Sequence, residues 1–538
     1  MFETLIVNAE IVDGTGGPRF HGELGIVDGR IAHLARRPAD ATASDARQAD
    51  RATRTIDAGG QIVAPGFIDL HSHADFSIQG APAAETQLTQ GVTTSLVGNC
   101  GSSPFPTRSI DDLTRDNQHL EAAFTGEWSD TEGFITALED MRPGINIALQ
   151  IGLSTVRSFC MGSGDVQPDD ADLRAMRREI SAAAESGVFG FSSGLIYAPG
   201  SYADPREMVD LVSAAADAGL LHSTHMRNEA GDLLEAVDEA ITTAERAGAR
   251  LEISHLKALG PGNRGLPAVA LERIEDARTR GLDVMADVYP YTASSTGLTS
   301  RLPGFAMDGG KDAMVERLAH PPMRAAIAEA VASRFGADID PAGVIVAALG
   351  PSTTGDDYSW TIGLGLTEIG ERDGCAPEEA AMRLLHAHDG SVAIVNHAMD
   401  PQDVEAVLAH PLVSIASDGW TLAATGAGRP HPRSFGTFAR VLGHYVRDRG
   451  VMPLEEAIRK MTSQPADRLR LNDRGMLAIG KVADVVIFDA ATVRDNATYS
   501  DPWQLSSGVS TVLLAGEAAV SDGAVTDRRC GRVLRRSA

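Results

Sequence analysis

The stretch PGFIDLHSHADFS, Pro65 to Ser77, sets two histidines one residue apart at the end of an apolar run. Residues two apart in an extended strand share a face, so His71 and His73 point the same way from a strand end. The chain supplies its own control in LLHAHDG, where His386 and His388 repeat the spacing. That pair falls near the end of the helical stretch PEEAAMRLLHAHDG, where residues two apart do not face each other, and it reads as helix-end solvation.

Working outward, FIDL is the first of eight apolar runs with the same layout. GVTTSLVG, INIALQIGL, GVFGFSSGLIY, LLHSTHM, RLEISHL, LDVMADVYPY and LVSIASDG follow, separated by helical patterns such as DADLRAMRREISAAAESG and GDLLEAVDEAITTAERAG. Strand then helix, repeated, with polar residues where each strand ends, predicts an α/β chain: a (β/α)₈ TIM-like barrel whose active site lies at its C-terminal strand ends. VAIVNH is a ninth candidate strand, one too many.

Residues 1–60 and 466–538 read as short strands with Gly and Asp-Gly breaks, which predicts a small β-sandwich domain built from both termini. The barrel then spans 61–465, with an inserted segment at about 295–391 where Gly-Pro-rich loops break the rhythm. The N-terminus shows neither a basic leader nor an apolar core, so a cytoplasmic location is expected. A net charge of −26 argues against nucleic acid or an anionic membrane as partner and leaves a small-molecule substrate; oligomeric state is not readable. The four cysteines are too few and too scattered for a disulfide scaffold.

Six ligand-type residues fall at the predicted strand ends: His71, His73, Cys100, His225, His255 and Asp418. Imidazole and thiolate together favour zinc, and three protein ligands with an open position suit hydrolysis. Cys100 could also be a buried small hydrophobe or a nucleophile, but its setting in GNCG opposite histidines favours ligation. His222, three residues before His225, faces the other way and reads as a barrel-to-helix contact. Lys257, two residues after His255, points into the site by alternation, and a buried lysine needs an anion, which favours an anion-binding role over packing. Arg227 reads equally as a substrate contact or a barrel-mouth ion pair.

The motifs PGFIDLHSHAD, GVTT, GNCG, GLIYAPGSYA, THMRNE, ISHLK, DVYPYTASST, NHAMD, SDG, HPRSFGTFARVLG, MTSQPADRL and DRGMLAIGKVADVVIFD run in order through nearly the whole chain. Together they resemble the D-aminoacylase, or N-acyl-D-amino-acid deacylase, family of the amidohydrolase superfamily. Many amidohydrolases bridge two metals with a carbamylated lysine at the end of the fourth strand. Here the first lysine is Lys257 and the fourth run offers only Ser192 and Ser193, so composition excludes that bridge. The resemblance implies that Cys100, His225 and His255 hold a tight Zn²⁺, with His71 and His73 forming a weaker second site near Asp418. It also implies Tyr197, Tyr289, Ser295, Met399 and Arg429 around the substrate. SHLK departs from the family's SHHK, but Leu256 faces away by alternation.

Zinc lowers the pKa of a bound water towards ~7 and polarises an amide carbonyl, and Asp418 is the natural proton shuttle from that water to the leaving nitrogen. The expected reaction is hydrolysis of N-acyl-D-amino acids to a carboxylate and a free D-amino acid. A hydantoinase- or dihydroorotase-like cyclic-amide hydrolase is disfavoured by the missing lysine bridge. A barrel that has lost catalysis and only binds is disfavoured by the full set of ligands and Asp418.

Overall fold

The structure is a computed structural model that describes residues 1–37, 52–117 and 124–536; the part of the N-terminal strand reading over 38–51 lies outside them. Eight parallel strands form the barrel in chain order: Phe67–Asp69, Val92–Val97, Asn146–Gly152, Gly190–Gly194, Leu221–His225, Arg250–Ile253, Val284–Val288 and Val413–Ile415. These are the eight runs of the sequence. VAIVNH forms the strand Val392–His397, which pairs antiparallel with Ala293–Gly297 and Val344–Leu349 in a separate three-stranded sheet. That sheet and the helices around it have their own apolar core, including Met314, Ile327, Val346, Leu384 and Ile394.

The helices between strands are amphipathic for a visible reason. In Asp170–Glu185 the buried positions are Leu173, Met176, Ile180 and Ala183, spaced three and four apart on one face. Asp169 starts the helix by accepting from the amides of Ala171 and Asp172, while the Asp172 carboxylate accepts from the Asp169 amide. The next but one helix, Leu233–Ala247, stops at Gly248, whose left-handed backbone caps it.

The chain ends form one mixed sheet of nine strands, in which Ile62–Pro65 from the N-terminal part pairs antiparallel with Val485–Phe488 from the C-terminal part. A final segment returns to the barrel: the Ile147 amide donates to the Arg532 carbonyl and the Leu534 amide to the Ile147 carbonyl. Among the described residues no helix is long and apolar enough to cross a membrane.

The first and eighth barrel strands meet only near their C-terminal ends, where Asp418 N–H donates to His71 O at 2.7 Å and His73 N–H to Gly419 O at 2.8 Å. Asp69 holds this seam. Its buried carboxylate accepts from the Ser417 amide at 2.9 Å, the Ser417 hydroxyl at 2.5 Å and the His71 amide at 3.3 Å. Asp69→Ala strands three buried donors, and urea unfolding should show a loss of about 3 kcal/mol, with Asp69→Asn losing less. A loss under about 1 kcal/mol for the alanine variant would mean that the seam is held elsewhere.

Candidate metal centre and substrate cavity

A cavity of about 620 Å³ opens at the C-terminal ends of the barrel strands, and His73, Cys100, His225, His255 and Asp418 line it. His71 lies just beneath, fully buried. Three of the six residues, Cys100, His255 and Asp418, leave their strands with left-handed backbone, φ +53°, +36° and +50°. Such conformations cost roughly 1–2 kcal/mol each for residues with a Cβ, and they turn these side chains from the strand direction toward the barrel axis.

The supports for these turns come from neighbouring strands. A Cβ on Gly194 would stand 2.0 Å from the Cys100 carbonyl oxygen, and one on Gly101 would stand 2.6 Å from the Gly194 nitrogen, so both must be glycine. Ser192, at the position where a bridging lysine is missing, clamps the same loop: its hydroxyl donates to Gly98 O and accepts from Gly101 N–H. Asp287 accepts from the His255 amide at 2.8 Å and faces His71 Nδ1 at 3.2 Å, which leaves His71 Nε2 free to face inward.

Charges alternate along the floor. Arg433 Nη1 donates to Asp418 Oδ2 at 2.6 Å, and Asp418 Oδ1 lies 3.0 Å from His73 Nε2 and 3.4 Å from His71 Nε2. Cys100 Sγ lies 3.3 Å from His71 Nε2 and 3.5 Å from His255 Nε2. His255 Nδ1 is 3.1 Å from Glu229 Oε1, which also binds Lys257. Burial alone would raise the Cys100 thiol, but the charges of His71 and His255 more than offset it and hold the group well below the usual thiol range. Burial likewise opposes ionisation of Asp418, yet Arg433 and His71 hold its carboxyl well below the ordinary range.

The donor atoms fit a metal. Those of His71, Cys100, His255 and Asp418 lie within 4.8 Å of one another, and both ring nitrogens of His225 are buried without a hydrogen-bond partner. Imidazoles and a thiolate are zinc donors.

Of the substrate residues expected from the sequence, Tyr197, Lys257, Tyr289 and Ser295 line the cavity. The Tyr289 hydroxyl is buried with no partner, and that of Tyr197 is hydrogen-bonded to Thr296 Oγ1 at 3.1 Å. Lys257 is not waiting for a substrate anion alone, because Glu229 already pairs with it. Two expectations are corrected. Arg429 is exposed, its amide donates to Ala347 O, and its guanidinium lies against Gly363 in the inserted lobe; Arg433 reaches the cavity instead. Met399 sits behind the site in a small apolar pocket with Leu256, Val288 and Val404, since its amide donates to Thr292 O and turns the chain outside the cavity wall.

Elsewhere, Arg227 forms the mouth ion pair, holding Glu239 and the Ser201 and Ala203 carbonyls. His222 bonds Ser193 Oγ and stacks on Phe191. His388 is not solvated as expected: it is buried and Nδ1–H donates to Gly350 O at 2.7 Å. Sequence reasoning passed over Glu229, Asp287 and Arg301, and weighed Arg433 only as the close neighbour of Arg429. Glu229 carried a signal, an acid four residues after His225; Arg301 lies outside every motif.

The amidohydrolase family model matches residues 54–129 and 365–520. Over its whole length this chain is 37% identical to an N-acyl-D-glutamate deacylase of Alcaligenes xylosoxydans xylosoxydans, covering 97% of that protein. The chain belongs to the N-acyl-D-amino-acid deacylase family of metal-dependent amidohydrolases. A D-aminoacylase of the same organism is 31% identical over 100% of this chain and 98% of its own. The deacylase fold matches closely too: the N-acyl-D-glutamate deacylase from Bordetella bronchiseptica, complexed with zinc and a phosphonate inhibitor, superposes with a TM-score of 0.80 at 33% identity, covering 99% of both chains.

The lowered thiol pKa of this deacylase has a pH signature. A thiol with depressed pKa stays ionised, and nucleophilic, well below the ordinary ~8.5. After chelator treatment, iodoacetamide labelling of Cys100 followed by mass spectrometry should change far less between roughly pH 6 and 9 than that of Cys160, whose thiol, pushed up to about 11 by burial and Glu179, should label slowly at pH 6 and steadily faster as the pH rises. An ordinary thiol profile at Cys100 would contradict the charge arrangement.

Proposed function

We propose that the chain hydrolyses N-acyl-D-amino acids bearing a second, side-chain carboxylate, N-acyl-D-glutamate first among them, to a carboxylic acid and the free D-amino acid. Arg301 carries this reading. Its side chain is 6 % exposed, lines the cavity and forms no ion pair among the described residues, whereas Lys257 and Arg433 are each matched to a carboxylate. Burial pulls the Arg301 guanidinium below its ordinary pKa, as expected of a cation without an anion beside it. A bidentate carboxylate would answer that need. The N-acyl-D-glutamate relatives support the same substrate class.

Cys100, His225 and His255 would hold a tight zinc ion, and His71, His73 and Asp418 a weaker second one. When bound, zinc supplies a water with a pKa near ~7 and polarises the substrate carbonyl. Asp418 does the proton work: Oδ1, facing the histidines, takes the proton of the attacking water and returns it to the leaving nitrogen. Arg433 fixes Oδ2, so the carboxylate cannot rotate out of line. Lys257, the Tyr289 hydroxyl and Ser295 would receive the α-carboxylate, and Tyr197 would pack against the acyl group.

Two experiments test this. Asp418→Asn should abolish turnover of N-acetyl-D-glutamate while the tight zinc, measured by atomic absorption, stays bound; near-normal turnover would remove Asp418 from the mechanism. Arg301→Leu should lower kcat/KM for N-acetyl-D-glutamate about 10–100-fold, the equivalent of a lost charge-assisted pair, and change that for N-acetyl-D-methionine less than about threefold. Equal losses on both substrates would move Arg301 to the α-carboxylate.

A further inference from the structure

Glu229 ends the loop HMRNE, four residues past His225, and is 4 % exposed. Its carboxylate meets three groups. Oε2 is 3.5 Å from His225 Nε2, Oε1 is 3.1 Å from His255 Nδ1, and Oε1 also binds the Lys257 ammonium. On its opposite edge, His255 presents Nε2 to Cys100. Of the two rings assigned above to one ion, His255 thus turns its second nitrogen to this carboxylate at close range, while His225 stands at ion-pair distance without a hydrogen bond to it.

Lys257 makes this arrangement necessary. Its Nζ lies 2.9 Å from His255 Nδ1, and an ammonium can only donate. If it donated to Nδ1, the ring proton would sit on Nε2, and that nitrogen could not ligate a metal. A carboxylate at hydrogen-bond distance from both groups resolves the conflict: it accepts from Lys257 and from Nδ1–H, and the lone pair is left on Nε2. Outer carboxylates of this kind fix the tautomer and raise the basicity of ligating imidazoles.

We propose that Glu229 is a positioning residue that sets the ligating tautomer of His255 and screens that ring from the donors of Lys257. The inference rests on the ligand assignment made under the proposed function. Its competitor is plain: Glu229 could serve only as a counter-charge for Lys257.

Zinc affinity separates the two, measured on the full chain by competition with a chromophoric chelator for wild type, Glu229→Gln, Lys257→Met and the double variant. Glutamine keeps the shape but offers one acceptor and a donor where two acceptor oxygens stood. Glu229→Gln should weaken the tight site about 10–100-fold. Because that variant leaves Lys257 buried and unpaired, its folding can suffer, and the double variant, which removes both charges, carries the decisive comparison. In the Lys257→Met background, Glu229→Gln should still weaken zinc binding at least about tenfold. Equal affinities of Lys257→Met and the double variant would reduce Glu229 to a partner for Lys257 and overturn the inference. Failure of the underlying assignment looks different, since wild type itself would take up no tight zinc and both readings would fall.

Discussion

Buried charge is tolerable only when it is matched at close range, and the catalytic end of this barrel is organised by that rule. Arg433, Asp418, the His71–His73 pair, Cys100, His255, Glu229 and Lys257 form a row in which a group that favours positive charge always stands beside one that favours negative charge. The thiolate exists because imidazoles flank it, and the Asp418 carboxylate because a guanidinium is bonded to its far oxygen. Three left-handed backbone turns lie in this row, so attraction along it also helps to hold the strained conformations that produce it.

A second layer keeps the row in register. Ser192, Asp287 and Asp69 each join the loop of one strand to another: the second to the fourth, the first to the sixth through the seventh, and the first to the eighth. These side chains come from the strands themselves, which are the stiffest elements available. In the fourth strand, Ser192 braces the cysteine loop from below.

The barrel was legible because each strand announces itself twice, by an apolar run and by the polar residues that end it. Its eight runs are the eight strands, and the surplus VAIVNH is antiparallel in the lobe. The six residues proposed around the metal site were legible for the same reason, as they sit at those ends. What lay hidden depends on loops. Arg429 and Arg433 are four residues apart in one segment, and only the fold decides that the lobe strand Val344–Leu349 draws the first outward while the second reaches Asp418. Met399 was misplaced by a similar turn after Val392–His397. Glu229 showed itself only as an acid four residues past His225 and Asp287 not at all, because partners of buried histidines have no fixed spacing from them. Arg301 belongs to the inserted lobe, where no strand rhythm says which way a side chain points.

The return of the last residues to the barrel has a consequence for biosynthesis. Ile147, in the third barrel strand, takes backbone partners from Arg532 and Leu534, and Ile62–Pro65 is paired with Val485–Phe488. While the chain is still emerging from the ribosome, those early strands lack partners made hundreds of residues later. The terminal sheet and the barrel floor therefore both wait for residues 485–534, and the early strands carry open edges until that stretch is made.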